Sequence, residues 1–263
     1  MFSKKIVSIQ EYTLLHWNIW YKQPIKPVVD IIKSLNPDFL LLQELTWNCS
    51  YNKGLATGEY IAENLGYYQH IGKAHVWQPQ DGRNREALGN GILSRYPIEN
   101  TFSAFVHDPI NNGRYSHDEG RIYLEALVNI NGQKFRIGTT HLSYYHKFIQ
   151  TPGRLKEDKK LINLLKRNNH HKAYPLIFSG DLNTAPSSFI IRQLSKILQH
   201  LGPDYCHNTW TTKPFLYNNF EVNNLEWRLD YVFGTDQIQL VKAEIINTEV
   251  SDHLPIMIKF KIT

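Results

Sequence analysis

Short apolar runs separated by polar turns dominate this sequence, and they predict many strands with a few helices between them. The predicted strands are residues 12–17, 39–43, 67–71, 90–94, 98–106, 121–130, 133–140, 174–178, 227–233, 239–248 and 254–262. The predicted helices, in which apolar residues recur at helical spacing, are residues 28–35, 58–65, 152–165 and 189–201. Because strand–helix–strand units alternate with hairpins, the pattern indicates an α/β protein with mixed sheets.

The clearest local signal is the hairpin predicted at Asn131-Gly132. Residues 121–130 and 133–140 alternate apolar and polar positions on either side of it, and Asn-Gly is a pair that two-residue hairpin turns prefer. Residues 39–43 form a nearly continuous apolar run instead, which is typical of a strand buried on both faces. Glu44 is expected to end that strand, at a position where a carboxylate is costly unless something pairs with it.

The amino-acid composition indicates a folded protein but does not identify its function. The 263 residues are 42% hydrophobic and 20% charged, which fits a large folded core rather than a disordered chain. No repeat, low-complexity tract or linker divides the sequence, so residues 1–263 are predicted to form a single domain. The net charge of +5 suits an anionic partner, although a charge of this size is also ordinary for a soluble protein.

Targeting and redox signals are few. The two cysteines, Cys49 and Cys206, provide neither a disulfide framework nor the spacing of a zinc site. Residues 1–11 contain two lysines but no long apolar segment follows them, so no secretory signal is predicted. No apolar run reaches the length that spans a membrane. A cytoplasmic protein without a membrane span, acting as a monomer, is the expectation.

Polar side chains follow several of the apolar runs, at the point where each run ends. The sharpest example is Gly180-Asp181-Leu182-Asn183, which places a carboxylate and an amide at the end of strand 174–178. Other polar positions of this kind are Asn18, Glu44, His141 and Asp252-His253. Asn18, Asp181 with Asn183, and Asp252-His253 also fit ordinary turns, while Glu44 also fits a carboxylate at a helix start and His141 a surface imidazole. Asp230 lies inside an apolar strand and therefore needs a partner. If they converge, carboxylate and amide oxygens suit Mg²⁺, and a histidine held by a carboxylate is an acid/base group near neutral pH.

Several motifs together resemble those of the endonuclease/exonuclease/phosphatase superfamily, which includes pancreatic deoxyribonuclease, abasic-site endonucleases, deadenylases and neutral sphingomyelinases. They are His16-Trp17-Asn18, Leu42-Gln43-Glu44, Gly89 to Arg95, Thr140-His141-Leu142, Gly180 to Asn183, Leu229-Asp230-Tyr231 and Ser251-Asp252-His253. The motifs stand in the family's order and extend over residues 12–260. The resemblance implies one domain with a four-layer α/β sandwich, in which two mixed, mostly antiparallel sheets are flanked by helices.

The resemblance also implies a metal site. Glu44 would be the principal ligand of Mg²⁺, with Asn18 beside it and Asp252 near the metal. Mn²⁺ is the alternative cation.

Further residues would act on the phosphate. Asp181 would orient the attacking water, and Asn183 would hold a phosphate oxygen. His253, oriented by Asp230, would contact the phosphate and act as acid or base. His141 would be a second phosphate-binding or proton-transfer group.

Two further charged residues match the family more loosely. Arg121 falls where some members place a phosphate-binding arginine, and Glu86 is a candidate to hold His141. Both fit ordinary surface charges more readily than the residues of the other motifs do.

The function implied is that of a metal-dependent phosphodiesterase, a hydrolase, with a nuclease that cleaves DNA or RNA by direct water attack as the main prediction. A sphingomyelinase-like phospholipid phosphodiesterase or an inositol phosphate phosphatase is the alternative, and a non-catalytic binding module is a third. Loops between the motifs set specificity in such a fold, and they are residues 73–88, 107–120, 143–152 and 205–225. Their aromatic residues and the positive net charge favour nucleic acid as partner.

Overall fold

The computed structural model describes residues 10–77, 85–110, 118–167 and 174–263. Within these ranges the strands are β1 (Tyr12–Asn18), β2 (Phe39–Trp47), β3 (Tyr68–Val76), β4 (Ala87–Ser94), β5 (Ile98–His107), β6 (Arg121–Ile130), β7 (Gln133–His141), β8 (Leu176–Asp181), β9 (Gln199–His200), β10 (Phe215–Tyr217), β11 (Phe220–Val222), β12 (Asp230–Gly234), β13 (Ile238–Ile245) and β14 (Ile256–Ile262). The helices are α1 (Ile25–Leu35), α2 (Thr57–Leu65), α3 (Pro152–Arg167) and α4 (Phe189–Leu194). Residues 78–84 and 111–117, which belong to two of the predicted specificity loops, lie outside the described ranges.

Two mixed sheets of six strands each are formed by the described residues. Their strand orders are β13-β14-β1-β2-β4-β3 and β5-β6-β7-β8-β12-β9. Most neighbouring strands are antiparallel, but the central pair of each sheet is parallel: β1 with β2, and β7 with β8. The predicted α/β class with two mixed, mostly antiparallel sheets is therefore confirmed.

The apolar residues divide into layers that hold the sheets and helices together. Between the sheets, the rings of Phe39 and Phe135 lie 5.2 Å apart, and those of Phe135 and Phe260 lie 6.1 Å apart. On the outside, α1 and α2 cover the first sheet, while α3 and α4 cover the second. The order helix–sheet–sheet–helix is the predicted four-layer sandwich, and burial of these apolar faces is the main force that stabilises it.

Strand β2 extends beyond its predicted end. It was expected to stop at Gln43, with Glu44 after it, but it continues to Trp47. The pairing with β4 shifts between Gln43 and Leu45, so Glu44 lies on a β-bulge, and its backbone has a φ of +61°. A bulge turns one residue out of the regular alternation. The carboxylate therefore leaves the sheet face although the strand goes on.

Other boundaries moved because of long-range pairing. The helix expected over 189–201 ends at Leu194, since residues 199–200 pair with β12 as strand β9. Strand β12 begins at Asp230 rather than at residue 227, because Trp227 forms a bridge with Trp210 instead. Strands β3 and β4 both extend into the segment 73–88 that the sequence predicts to be irregular. In the described ranges, no helix has the length and apolar character needed to cross a membrane.

Candidate active site

Sheet topology brings the polar strand ends to one edge of the sandwich. Asn18 at the end of β1 is in register with Gln43 of β2, and His141 at the end of β7 is in register with Asp181 of β8. Strand β12 runs antiparallel to β8, so its first residue, Asp230, also lies opposite Asp181. Because parallel strands end at the same edge of a sheet, these side chains come together from distant parts of the sequence.

The segment before β14 is fastened to the same edge. The indole Nε1–H of Trp17 donates to the carbonyl of His253 at 2.9 Å. Ser251 donates to the carbonyl of Asn18 at 2.8 Å and accepts the backbone N–H of His253 at 3.1 Å. Trp17 and Ser251 are both fully buried. The backbone that carries Asp252 and His253 is therefore held against β1.

A buried carboxylate lies between two histidines. One oxygen of Asp230 is 2.9 Å from Nε2 of His16, and the other is 2.8 Å from Nδ1 of His253. Burial alone would raise the pKa of Asp230, but the charge of His253 and the hydrogen bonds from both rings outweigh it and hold the pKa well below its usual range. Asp230 is therefore an ionised group that fixes the orientation of His253.

Asp181 contacts the other polar groups of the edge. One of its oxygens accepts the backbone N–H of Asn183 at 2.9 Å. Its second oxygen accepts from Asn18 at 3.0 Å and lies 3.4 Å from Nε2 of His141 and 3.5 Å from Nε2 of His253. The amide of Asn183 is in turn 3.0 Å from Nε2 of His141. The two histidines thus approach one carboxylate from different strands.

Two carboxylates face the cleft beside this group. Glu44 accepts the backbone N–H of Tyr21 at 2.9 Å, and Asp252 accepts the indole N–H of Trp210 at 3.2 Å. Burial, together with a neighbouring carboxylate, raises the pKa of Glu44 and raises the pKa of Asp252 to about 6. Burial likewise raises the pKa of Asp181 to about 6.

Asn18 joins the carboxylates to each other. Its amide nitrogen donates to Glu44 at 3.1 Å and to Asp181 at 3.0 Å, and its oxygen accepts the backbone N–H of Trp20. In this arrangement Asn18 positions two carboxylates, while its predicted role as a metal ligand stays a prediction.

The donor groups suit a divalent cation. Glu44 and Asp252 line the cleft, the charge of Glu44 disfavours ionisation of Asp252, and oxygen atoms are the ligands that Mg²⁺ takes. Atoms of Asp181, Asp230 and His253 also lie within 4.8 Å of one another, in a second arrangement that could hold a metal. However, both oxygens of the fully buried Asp230 already accept hydrogen bonds from histidines. The residues present therefore fit a cation, and the cleft-facing carboxylates fit it better.

The two histidines near Asp181 have opposite protonation tendencies. Burial opposes the charge of His253, but the carboxylates of Asp230, Asp181 and Asp252 raise its pKa well above the usual value. Burial and the nearby charge of Arg121 hold the pKa of His141 well below the usual value. Paired groups whose surroundings separate their pKa values are typical of acid/base sites.

Arg121 and Glu86 differ in their surroundings. Arg121 is only 4% exposed, donates to Glu119 at 2.8 Å and lies 3.4 Å from the hydroxyl of Ser143, so its interpretation as a surface charge is wrong. Glu86 is exposed and lines the same cleft as Arg121. No bond joins Glu86 to His141 in the described part of the chain, and the proposed pairing of these two residues is not supported.

Sequence reasoning missed three buried residues that support the site. His16 carries one of the recognised motifs, but no role was predicted for it. Arg154 donates to backbone carbonyls of the turn that carries Asp181, and Arg228 donates to the carbonyl of Asp230 at 2.7 Å. For His16 and Arg228 the available signal was an imidazole or charged side chain inside a predicted apolar strand, whereas Arg154 gave no such signal.

Aromatic and cationic side chains form the walls of the cleft, which has a volume of about 810 Å³. The aromatic residues on its walls are Trp20, Tyr21, Tyr51, Trp77, Tyr144, Phe148, Trp210, Phe215 and Tyr217. Lys22, Lys213 and Arg121 add positive charge. Trp210 connects the wall to the carboxylates, because it packs against Phe215 at 4.9 Å and donates to Asp252.

A sandwich of this order, with carboxylates and histidines gathered at one sheet edge, defines the class of α/β phosphoester hydrolases. The family model of the endonuclease/exonuclease/phosphatase family matches residues 15–253, and the chain belongs to this family. Members of the family are metal-dependent hydrolases that act on phosphoester bonds. None of the curated proteins compared with the chain matches it significantly.

Solved structures share the fold at low sequence identity. An endonuclease/exonuclease/phosphatase from Beutenbergia cavernae aligns over 96% of this chain and 72% of its own, with 19% identity and a TM-score of 0.75. The catalytic domain of human nocturnin aligns over 96% of this chain and 94% of its own, with 18% identity and a TM-score of 0.69. A mannosyl-6-phosphatase from Bacteroides thetaiotaomicron aligns over 95% and 99%, with 16% identity and a TM-score of 0.62. At these identities the likeness establishes the fold.

Proposed function

We propose that the protein is a Mg²⁺-dependent phosphodiesterase that hydrolyses nucleic acid by direct attack of water on the phosphorus. One observation carries this proposal: the cleft-facing carboxylates Glu44 and Asp252 lie beside Asp181 and a histidine, His253, that is held by a buried carboxylate. Metal-assisted hydrolysis of a phosphodiester uses these components, namely cation ligands, a group that orients water and a proton donor.

Glu44 and Asp252 would hold the cation, with Asn18 keeping Glu44 in place. A cation bound there would stabilise the negative charge that develops on the phosphoryl oxygens. Mn²⁺ has the same preference for oxygen ligands and is the alternative to Mg²⁺.

The remaining groups would act on water and phosphate. Asp181 would accept a hydrogen bond from the attacking water, and Asn183 would donate to a phosphate oxygen through its amide. His253, whose pKa is raised, would donate a proton from Nε2 to the leaving oxygen. His141, whose pKa is lowered, would act as the neutral partner that hydrogen-bonds the phosphate or relays a proton.

The cleft favours nucleic acid over other phosphodiesters. The cationic residues Lys22, Lys213 and Arg121 suit a polyanion. Exposed rings such as Tyr51 and Tyr217 on the cleft walls provide flat surfaces on which bases stack. A polyanionic backbone with stacked bases therefore matches both features of the walls.

The experiment is a substrate panel with a matched pair of carboxylate variants. Single-stranded DNA, plasmid, RNA, sphingomyelin and an inositol phosphate are each incubated with Mg²⁺, with Mn²⁺ and with EDTA. Cleavage of a nucleic acid that EDTA abolishes is expected. Glu44→Gln should abolish it, whereas Glu63→Gln, an exposed carboxylate on α2, should not.

The other outcomes separate the alternatives. Release of phosphocholine or of inorganic phosphate, without cleavage of nucleic acid, would reassign the substrate to a phospholipid or an inositol phosphate. Activity that is indifferent to EDTA and to Glu44→Gln would refute the metal site. If no substrate is turned over with either cation, a binding module would be the better interpretation.

A further inference from the structure

His16 is a buried histidine that the proposed chemistry does not use. It lies in β1 with no exposed surface. Its Nε2 is 2.9 Å from one oxygen of Asp230, and its Nδ1 is 3.0 Å from the hydroxyl of Ser179 in β8. Both partners are also fully buried. The ring therefore bridges the two sheets through two polar contacts, and a second buried polar contact, between Gln43 and Thr139 at 2.8 Å, also joins the sheets.

The hydrogen bonds of Asp230 can be assigned from the chemistry of the groups. An ionised carboxylate only accepts hydrogen bonds, so Nε2 of His16 and Nδ1 of His253 each direct a proton toward it. The distances of 2.9 and 2.8 Å are those of charge-assisted bonds. Each oxygen of Asp230 thus meets one histidine, and His253 is left with Nε2 toward Asp181 at 3.5 Å.

We propose that His16 is a positioning residue, which fixes the Asp230 carboxylate and thereby holds His253 with a proton on Nδ1 and with Nε2 directed at the substrate. A carboxylate with a single partner can rotate about its terminal torsion, which is broad for aspartate. Two partners on opposite oxygens remove that freedom. The ring orientation of His253 then follows chiefly from the carboxylate plane, because its other contacts are longer: Nε2 lies 3.5 Å from Asp181, and the ring centroid lies 6.3 Å from that of Trp210.

Two amide substitutions distinguish this role from simple packing. In His16→Gln, the side-chain nitrogen reaches the position of Nε2 and can still donate to Asp230. In His16→Asn, the shorter amide reaches only the position of Nδ1 and faces Ser179 instead. Both variants place an uncharged amide in the same buried space, and they differ in whether Asp230 keeps its second donor.

The first readout does not depend on catalysis. In protein labelled with ¹⁵N-histidine, the Nδ1–H of His253 should give a protected NMR signal in the wild type and in His16→Gln. In His16→Asn that signal should broaden or disappear. An unchanged signal in a folded His16→Asn protein would overturn the proposal. Should neither amide variant fold, Ser179→Ala, which frees the His16 ring from its other partner, should weaken the same signal, and an unchanged signal there would also overturn the proposal.

The second readout rests on the proposed function. With a cleaved oligonucleotide as substrate, His16→Asn should lower kcat about 10- to 100-fold, as expected for loss of one hydrogen bond to a charged group, with KM unchanged because His16 does not reach the cleft. His16→Gln should recover most of kcat. His200→Leu, a half-buried histidine that does not line the cleft, should retain it. Equal kcat values for the two amide variants would refute the role.

The two proposals can fail separately. If the wild type cleaves none of the substrates but the His253 signal is lost only in His16→Asn, the proposed function fails and the role of His16 stands. If nucleic acid is cleaved and the signal and kcat are indifferent to both substitutions, the role of His16 fails and the proposed function stands.

Discussion

Replacement of Arg154 by leucine is expected to destabilise the protein strongly and to disturb the candidate site without removing any group from the cleft. Arg154 is only 2% exposed on α3. Its guanidinium donates to the carbonyls of Ser143 at 3.2 Å, of Asn183 at 3.4 Å and of Leu182. It also pairs with the fully buried Asp158 at 2.8 Å. One cation therefore satisfies the backbone of the turn that follows Asp181.

The magnitude follows from what the substitution leaves behind. Removing one partner of a buried ion pair costs about 3–5 kcal/mol, because the other charge stays buried without compensation. Unsatisfied carbonyls add to this, although such costs are not additive. Since a folded domain is stable by about 5–15 kcal/mol, Arg154→Leu should remain folded at low temperature with much of its stability lost.

The assay is urea unfolding of the wild type, Arg154→Leu, Asp158→Leu and the double variant. The double variant should be less destabilised than the sum of the single ones by about 2 kcal/mol, since it contains no unpaired charge. Arg192→Leu on α4, where the arginine is exposed, is the matched control and should change the free energy of unfolding by less than about 0.5 kcal/mol. A loss below about 1 kcal/mol for Arg154→Leu, or strict additivity, would refute the reasoning.

Two further predictions concern substrate binding and pH. Tyr217→Ala removes a ring that is 40% exposed on the cleft wall, so KM for a single-stranded oligonucleotide should rise about 5- to 100-fold with kcat unchanged. The control is Leu225→Ala, at a residue that is exposed outside the cleft. Equal KM values for the two variants would argue against base stacking. Burial and the charge of Arg228 lower the pKa of His200 to about 4. On acidification the unfolded state therefore binds a proton at His200 before the folded state does, and the free energy of unfolding falls as pH drops from 6.5 toward 4. Between pH 7 and pH 4.5 the wild type should lose about 1–2 kcal/mol more than His200→Leu, after allowance for partial exposure; parallel losses would contradict this.

The strand ends could be located from the sequence, because each apolar run stops at a polar residue. Their mutual positions could not, since the register of Asn18 with Gln43 and of His141 with Asp181 joins segments far apart in the chain. Local patterns of apolar and polar residues do not predict which distant strands pair or in what register. The sequence therefore predicted which side chains to consider, and only the topology shows how close they lie.

Two boundary predictions were wrong for different physical reasons. The apolar pattern of residues 189–201 fits a helix, but residues 199–200 pair with β12, and tertiary contacts override a weak helical preference. Glu44 looked like a strand end because a carboxylate is costly in an apolar run. The bulge avoids that cost by directing the side chain out of the sheet. Glu44 has a φ of +61°, and no residue type in this stretch predicts such a conformation.

Arg154 shows why supporting residues are harder to predict than the groups in the cleft. In the sequence it is an arginine four residues before Asp158, the spacing of an ordinary surface pair on a helix. Its burial arises only when α3 packs beside the turn after β8, where its donors meet carbonyls that no strand satisfies. The spacing of Arg154 and Asp158 was therefore evident from the sequence, but the burial of Arg154 was not.

Trp210 makes the candidate centre and the wall of the cleft parts of one unit. Its indole donates to Asp252 at 3.2 Å, while its ring packs against Phe148 at 5.3 Å and against Phe215, the first residue of the β10–β11 hairpin, at 4.9 Å. A displacement of the hairpin would therefore shift the donor that orients a cleft-facing carboxylate. Specificity loops in a fold of this kind can vary freely only where they lack such a contact, so within the hairpin substitutions of Phe215, which packs on Trp210, should alter kcat as well as KM, whereas those of Tyr217 should alter KM alone.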